Sequence, residues 1–508
     1  MLSKNVGLVG FTLARVSLAA PQATKCASLS LDGTPPGTSL INITSTERYH
    51  VTVENTLFNS TGTVSDISFC DVQLYLTHGD AGDEVRIAVW LPLEGWNGRF
   101  MGTGGGGFNA GLFDPALADG IQGGFAAAAT DAGVGLANDP GPWADSKQLV
   151  TNFVHLSVHE MTIVGKALTA KFYDQKPAYS YWHGCSQGGR QGYVEAVQYP
   201  NDYDGISAHA PAINWDRLMP GFLWPYLKNL ETPLPACKFI AMTAASISAC
   251  DLLDGGADGL IGHPPDCKFD AQTLVGTEVQ DCVSDKRITK EEAKAWNSIL
   301  LGPQTPDGKR FWYGMEPGTD LSFVVPAPFQ PAESWLQDFI MDDPEFNSSS
   351  LTYKTYLSAF ATSVAKFGKT WGSTDADLSP FQRRGGKLLT FHGWADQSIP
   401  AKSTIEYWER VRQAFRPGGT SVPPGGSNVD DFYRLFMAPG VGHCANFGYG
   451  PGPLYLVDAL VQWVEHGKAP ETLFAAGFGQ TRNLCLHPRK SKYKGRGKVE
   501  DASSWTCV

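Results

Sequence analysis

Several things are missing from this 508-residue sequence, and each narrows what it can do. Basic charge is in deficit: 40 Lys and Arg stand against 51 Asp and Glu, a formal net charge of −11, which argues against nucleic acid or an anionic membrane as partner. The one basic run, Arg489 to Arg496, falls between Cys485 and Cys507 and is expected to be a solvated loop inside a terminal disulfide. The ten cysteines show no zinc-ligand spacing. The apolar N-terminal stretch, Val6 to Ala20, is broken by Arg15 and cannot span a bilayer. No Gly-Lys-Ser/Thr follows the glycine run at Gly104 to Gly107, which leaves a phosphate cradle without support, and no organic cofactor is expected. Internal repeats and low-complexity tracts are absent as well.

What is present is enough apolar content, 42%, to bury a large core, in a chain long enough for two or three domains. Lys4, the stretch Val6 to Ala20 and a possible cleavage point after Ala19 or Ala20 read as a signal peptide over residues 1–20, atypical because of Arg15. Abundant cysteine without metal spacing fits an oxidising compartment. Sequons at Asn42, Asn59 and Asn347 agree, so a secreted, glycosylated protein is expected.

The richest local signal is Gly184-Cys185-Ser186-Gln187-Gly188. Glycines two places either side of a serine suit a nucleophile elbow, a strained strand-to-helix turn that lifts the serine oxygen clear of a sheet. Residues 178–182 read as the strand before it and 189–197 as the helix after it. In an α/β-hydrolase fold the acid and then the histidine should follow at later strand ends. A strand at 387–391 delivers Asp396 and one at 432–437 delivers His443. His443 would be the general base on Ser186, and Asp396 would orient it. His183 and His392 also lie at strand ends, but each directly precedes a glycine at a strand-to-loop junction and is expected to be a hydrogen-bonded structural histidine. Asp202 and Asp204 come too soon after the elbow helix and read as turn residues. For the oxyanion, the amide of Gln187 is one expected donor; the second comes from the tetraglycine that follows strand candidates at 85–91 and 99–101, with Gly106 preferred and Gly105 next.

About 170 residues separate the elbow segment from the Asp396 strand, more than a sheet crossover needs. A lid domain at 214–378 is therefore expected, inserted into a catalytic domain formed by 21–213 and 379–508. The insert is aromatic, with Trp215, Phe222, Trp224, Tyr226, Phe311, Trp312, Tyr313, Phe323, Phe329 and Trp335, and most of these are expected to form its own small core. It also holds Asp251, Asp254 and Asp258, at offsets of zero, three and seven, among glycines. These are hard oxygen donors, but the spacing is not that of an EF-hand, and a solvated acidic turn is an equal reading.

Cys185 directly before Ser186 and Cys444 directly after His443, together with Trp96-Asn97-Gly98-Arg99-Phe100, the tetraglycine and His392-Gly393-Trp394-Ala395-Asp396, resemble the tannase and feruloyl esterase family over nearly the whole chain. The resemblance implies an α/β-hydrolase fold with a large inserted lid over the nucleophile, and a disulfide between Cys185 and Cys444. With proximity, it also suggests Cys26 with Cys70, Cys250 with Cys267 and Cys485 with Cys507, leaving Cys237 with Cys282. It implies a structural calcium held by Asp251, Asp254 and Asp258 side chains and by Gly256 and Leu260 carbonyls. The expected activity is hydrolysis of an aromatic, feruloyl-type ester through an acyl-enzyme on Ser186, the substrate being a small aromatic ester or an ester of the plant cell wall. The alternatives are a galloyl ester (tannase), an esterase or acyl transferase on a fungal secondary metabolite, and a catalytically silent binding protein.

Overall fold

The computed structural model describes residues 25–54, 62–283, 285–322, 325–421 and 428–508. The expected signal segment 1–20 and the sequon at Asn59 lie outside these residues.

Nine strands form one mixed sheet: β1 (Thr38–Glu54), β2 (Thr63–His78), β3 (Val85–Pro92), β4 (Arg99–Thr103), β5 (Ala126–Thr130), β6 (Tyr179–Cys185), β7 (Gly205–His209), β8 (Lys387–Gly393) and β9 (Tyr433–Ala438), in the order 1-2-3-5-4-6-7-8-9. β1, β2, β3 and β5 pair antiparallel; every contact from β5 onward is parallel. The sequence pattern reports this difference. β2 alternates between buried and half-buried side chains, whereas β5, β7 and β9 are buried at every residue, as strands covered on both faces must be. This is the α/β-hydrolase arrangement expected, and the strands foreseen at 85–91, 99–101, 178–182, 387–391 and 432–437 are all present within a few residues.

Five helices position the site: α1 (Ser157–Tyr173), α2 (Gln187–Gln198), α3 (Trp215–Glu231), α4 (Ala236–Cys250) and α5 (Tyr353–Phe367). The last three lie in the long segment between β7 and β8. The Trp224 ring of α3 packs on Tyr356 of α5 with centroids 5.7 Å apart. The aromatic residues of this segment form its core, as expected, and that core extends to residues that precede β6. Trp215, Phe222, Trp224, Trp312 and Trp335 are buried in one cluster that also contains Phe108, Trp143 and Phe153, and Phe311, Tyr313 and Phe329 pack against it. Phe323 lies outside the described residues. Helix α4, continued by a 3-10 turn to Asp254, is apolar enough by composition to cross a membrane, but Phe239 and Met242 are buried in the same cluster and disulfides hold both its ends.

All five expected disulfides are formed: Cys26–Cys70, Cys185–Cys444, Cys237–Cys282, Cys250–Cys267 and Cys485–Cys507. Within the last one, the basic run differs from the expected solvated loop. Ser491–Tyr493 pairs antiparallel with Trp505–Cys507, Arg489 pairs with Glu471 at 3.0 Å, and Lys490 pairs with Asp266 at 2.8 Å. Nearby carboxylates and a two-stranded ribbon give these charges defined places.

Candidate active site

β6 ends at Cys185, and Ser186 follows with φ 61° and ψ −120° as the residue that opens α2. A positive φ is strained for a residue with a side chain and persists only where its surroundings impose it. Here Ser186 N–H donates to His209 O, and Ser186 O accepts from the amides of Arg190 and Ala212, each at 3.0 Å. The glycines permit this turn. A Cβ on Gly184 would lie 2.6 Å from the Gly188 carbonyl carbon, and one on Gly104 would lie 2.4 Å from the Gly188 Cα.

Asp396 and His443 come together as expected. His443 Nδ1 meets Asp396 Oδ2 at 2.9 Å, and the backbone N–H of His443 donates to Gln397 Oε1 at 3.0 Å. Asp396 Oδ1 accepts from the amides of Ser398 and Ile399, both at 2.8 Å. Burial alone would raise this carboxyl, but His443 and His392 and their hydrogen bonds hold it well below the usual carboxylate range. Ser186 and His443 line the same cavity, and the Cys185–Cys444 disulfide, with its Cα atoms 5.9 Å apart, ties their two loops together. No hydrogen bond joins Ser186 to His443 in this structure, and a nucleophile–base bond of this kind can be long or poorly aligned until the transition state forms.

His392 has a larger part than its sequence context indicated. Its Nε2 faces two acceptors, Asp396 Oδ2 at 3.2 Å and Ile399 O at 3.1 Å, so that nitrogen must carry the proton; Nδ1 meets Thr404 Oγ1 at 2.9 Å. The acid oxygen that receives His443 is thus held from its other side as well. The signal was the four-residue offset between His392 and Asp396, which only the turn after β8 brings together. His183 is structural, as expected. It is joined through Ser207 to His209, at 3.1 and 2.6 Å, and burial pushes its imidazole down to about 4. Asp204 accepts from Ser180 N–H and from Arg384, and Asp202 from His159, which gives both aspartates bracing roles away from the cavity.

One expected donor needs correction. The N–H of Gly106 donates to Asn109 O at 3.0 Å within the loop, and that of Gly105 to Gln191 Oε1 of α2 at 2.9 Å, so both amides are committed. The amide of Gly107 has no acceptor among the described residues, and neither has that of Gln187, which heads α2. Gly107 lines the cavity, and its φ of 57° places it in a conformation that suits glycine.

The cavity is about 770 Å³ in volume. Its walls are largely apolar, with Leu112, Leu218, Met219, Phe222 and Phe329, and amides from Asn109, Asn138, Gln330 and Asn446 punctuate them. Apart from His443, no ionisable side chain among the described residues lines it. Residues of α3 form one wall, so the inserted segment shapes the space in front of Ser186.

The acidic loop after α4 carries the oxygen atoms a hard cation would use. Asp251 Oδ1 accepts from the amides of Asp258 and Gly259, and Asp254 Oδ1 from that of Gly256. Burial and the charges of Asp258 and Asp251 push Asp254 up to about 7; burial, with Asp251 adding and Arg482 opposing, raises Asp258 to about 6. Such mutual repulsion in a partly buried set of oxygen donors is what a hard cation relieves, and the carbonyls of Gly256 and Leu260 accept no hydrogen bond among the described residues. Two observations weigh the other way. No three acidic, histidine or cysteine side chains among the described residues gather at one point, and the Arg482 guanidinium pairs with Asp258 Oδ2. In chemistry and charge the loop suits calcium, and an arginine shares the same negative potential. Of the sequons, Asn42 and Asn347 are exposed, as a glycan would require.

A profile of the family described as tannase and feruloyl esterase matches residues 70–508. A probable feruloyl esterase of Arthroderma benhamiae is 39% identical, across 87% of this chain and 86% of that one. A probable feruloyl esterase B-2 of Aspergillus terreus is 32% identical, across 84% and 83%. Among solved structures, feruloyl esterase B from Aspergillus oryzae is similar with a TM-score of 0.82 at 28% identity, covering 96% of this chain and 100% of the other. The tannin acyl hydrolase from Aspergillus niger has a TM-score of 0.83 at 24% identity and covers 96% and 94%, which speaks to the fold alone.

Proposed function

Since the chain belongs to the tannase and feruloyl esterase family and is a carboxylic ester hydrolase, we propose that it is secreted and cleaves hydroxycinnamoyl, feruloyl-type esters through an acyl-enzyme on Ser186. The observation that carries this proposal is the strained Ser186, stapled through Cys185–Cys444 to His443, opening on a large cavity whose walls are apolar and nearly free of charge.

In the proposed reaction, Ser186 Oγ attacks the ester carbonyl carbon while His443 Nε2 takes its proton. The imidazolium is stabilised through Nδ1–H by Asp396, whose other contacts keep it ionised and aligned. The carbonyl oxygen becomes an oxyanion held by the amides of Gln187 and Gly107. Collapse expels the alkoxide, which takes the proton from His443 and leaves as the alcohol. Water then gives a proton to His443 and attacks the acyl carbon, and the second collapse returns that proton to Ser186 and frees the acid. An uncharged aromatic acyl group fits walls of Leu, Met and Phe, and scattered amides suit one or two phenolic or methoxy oxygens better than the three hydroxyls of a galloyl group.

Secretion is supported by five disulfides and the absence of free cysteine among the described residues. Calcium is proposed as a structural ion on the Asp251, Asp254, Asp258, Gly256 and Leu260 oxygens, where it would offset charge repulsion and take no part in ester cleavage. The function is tested with methyl ferulate, methyl caffeate, methyl gallate and a short aliphatic ester, using Ser186→Ala as control. The expected result is preference for the hydroxycinnamates and loss of nearly all turnover in the variant. Preference for gallate would move the assignment to tannase, and turnover by Ser186→Ala would remove the nucleophile.

A further inference from the structure

A second cavity of about 480 Å³ lies on the opposite side of α3 from the catalytic one and shares no lining residue with it. Its volume falls in the range of small-molecule sites, roughly 300–1,000 Å³, but its chemistry is the reverse of the first. Three arginines line it: Arg217 from α3, Arg310 from the loop before Phe311, and Arg410 from Ala401–Phe415, the helix that follows Asp396. Two are partly neutralised. Arg217 pairs with the buried Asp216 at 3.0 Å; Arg410 pairs with Glu406 at 2.9 Å and donates to Thr374 O. Arg310 has no carboxylate within ion-pair distance among the described residues, and its guanidinium carbon lies 5.5 Å from the centre of the Tyr313 ring. A protein of net charge −11 thus gathers three arginines at one recess beside an aromatic surface; Glu406 lines it too but is paired with Arg410, and Arg310 is left without an ion-pair partner among the described residues.

An independent observation marks the same place. Asn214, which lines this cavity, is only 5% exposed, yet its side-chain Nδ2 has no hydrogen-bond partner among the described residues. It takes a left-handed conformation, φ 58° and ψ 41°, at the N-cap position just before α3, where asparagine commonly caps with its side chain; here it makes no such cap bond. A buried amide donor left unsatisfied costs free energy unless something in the recess accepts from it.

We propose that this recess is a second binding site, for a ring compound that carries a carboxylate and hydroxyl groups. A carboxylate matches the planar fork of Arg310, with Arg217 and Arg410 adding field. The ring packs on the aromatic surface at Tyr313, and a hydroxyl accepts from Asn214 Nδ2. Two sources share this chemistry: a uronic acid residue of an acidic polysaccharide, and a hydroxyaromatic acid of the kind ester cleavage would release. Because α3 separates the recess from Ser186, occupancy here leaves the catalytic cavity open.

The test is calorimetric titration of the full-length protein, with Ser186 first blocked by a phosphonate, using trigalacturonate, ferulate, galactose and inorganic phosphate. The expected result is saturable binding of at least one of the two carboxylates and none of galactose. Arg310→Gln should weaken it about tenfold or more. Asn214→Gly, which preserves the left-handed backbone, should weaken it too. Methyl ferulate hydrolysis by either variant in unblocked form should be unchanged. Trigalacturonate binding identifies a polysaccharide site, and ferulate binding a product-acid site. Binding of neither, equal binding by Arg310→Gln, or phosphate binding as tight as the carboxylates would overturn the proposal. The ester panel does not involve Arg310, so failure of the hydrolase assignment would register separately, as turnover by Ser186→Ala.

Discussion

At the scale of the residue, the proposed acid is governed by a histidine that is not its catalytic partner. His392 Nε2–H donates to the same Asp396 oxygen that receives His443. Removing that donor leaves Asp396 Oδ2 held from one side only. His392→Leu should therefore lower kcat roughly tenfold, from the loss of one hydrogen bond to a charged group, with KM for methyl ferulate little changed. His392→Gln, which can still present an N–H, should recover most of the loss, and kcat and KM of the three proteins decide the matter. The tetraglycine makes a related point: which of four adjacent amides is free depends on bonds to β6, to α2 and within the loop, and Gly107 rather than Gly106 is left available among the described residues.

At the scale of the element, two devices hold distant segments in register. The first is the Cys185–Cys444 disulfide, which joins the end of β6 to the loop after β9 across 259 residues of sequence. Replacing both cysteines by serine should lower kcat by about a hundredfold, since misplacement of reacting groups by an ångström has that effect, while KM for methyl ferulate changes little. Undiminished kcat in the double variant would show that the staple does not position the site. The second device joins β2 to α1. His78 lies between Asp83, at 2.6 Å, and Glu160, at 2.9 Å. Burial opposes its charge, but the hydrogen bonds and charges of Glu160 and Asp83 prevail and raise its pKa above the ordinary 6.5. A histidine whose folded pKa is raised contributes stability that is complete below its unfolded pKa and is lost as pH rises through the folded value. Thermal stability should therefore fall as pH increases above about 6.5, and His78→Asn should flatten that part of the curve. An unchanged slope in the variant would assign the pH dependence elsewhere.

At the scale of the molecule, the segment between β7 and β8 and the catalytic sheet unfold together if their shared aromatic cluster sets cooperativity. Arg190 is fully buried one turn after Ser186, donates to Val154 O at 2.9 Å and lies 5.8 and 5.9 Å from the rings of Trp215 and Trp371, so the elbow helix is packed directly into that cluster. The acidic loop proposed to hold calcium belongs to this scale as well. Chelation should lower Tm by several degrees while leaving kcat at 25 °C unchanged, and Asp254→Asn should remove the response of Tm to added calcium. No shift on chelation would mean that Arg482 alone balances the loop.

The sequence by itself determined the order and identity of the parts. Gly184, Ser186 and Gly188 specify a turn that no larger flanking side chains would permit, and the mostly apolar runs at 387–391 and 432–437 suit a sheet covered on both faces. Asp396 and His443 follow from those strand ends, and the cysteine pairs from the family likeness. Tertiary structure alone decided which side of Asp396 His392 faces, which glycine amide remains free, how Arg482 reaches Asp258 across 224 residues of chain, and that Arg217, Arg310 and Arg410 share a recess with Asn214. The physical reason is common to all four. Strand and turn preferences are local and repeat along the chain, whereas hydrogen-bond partners and charge clusters depend on which surfaces meet once the core has closed.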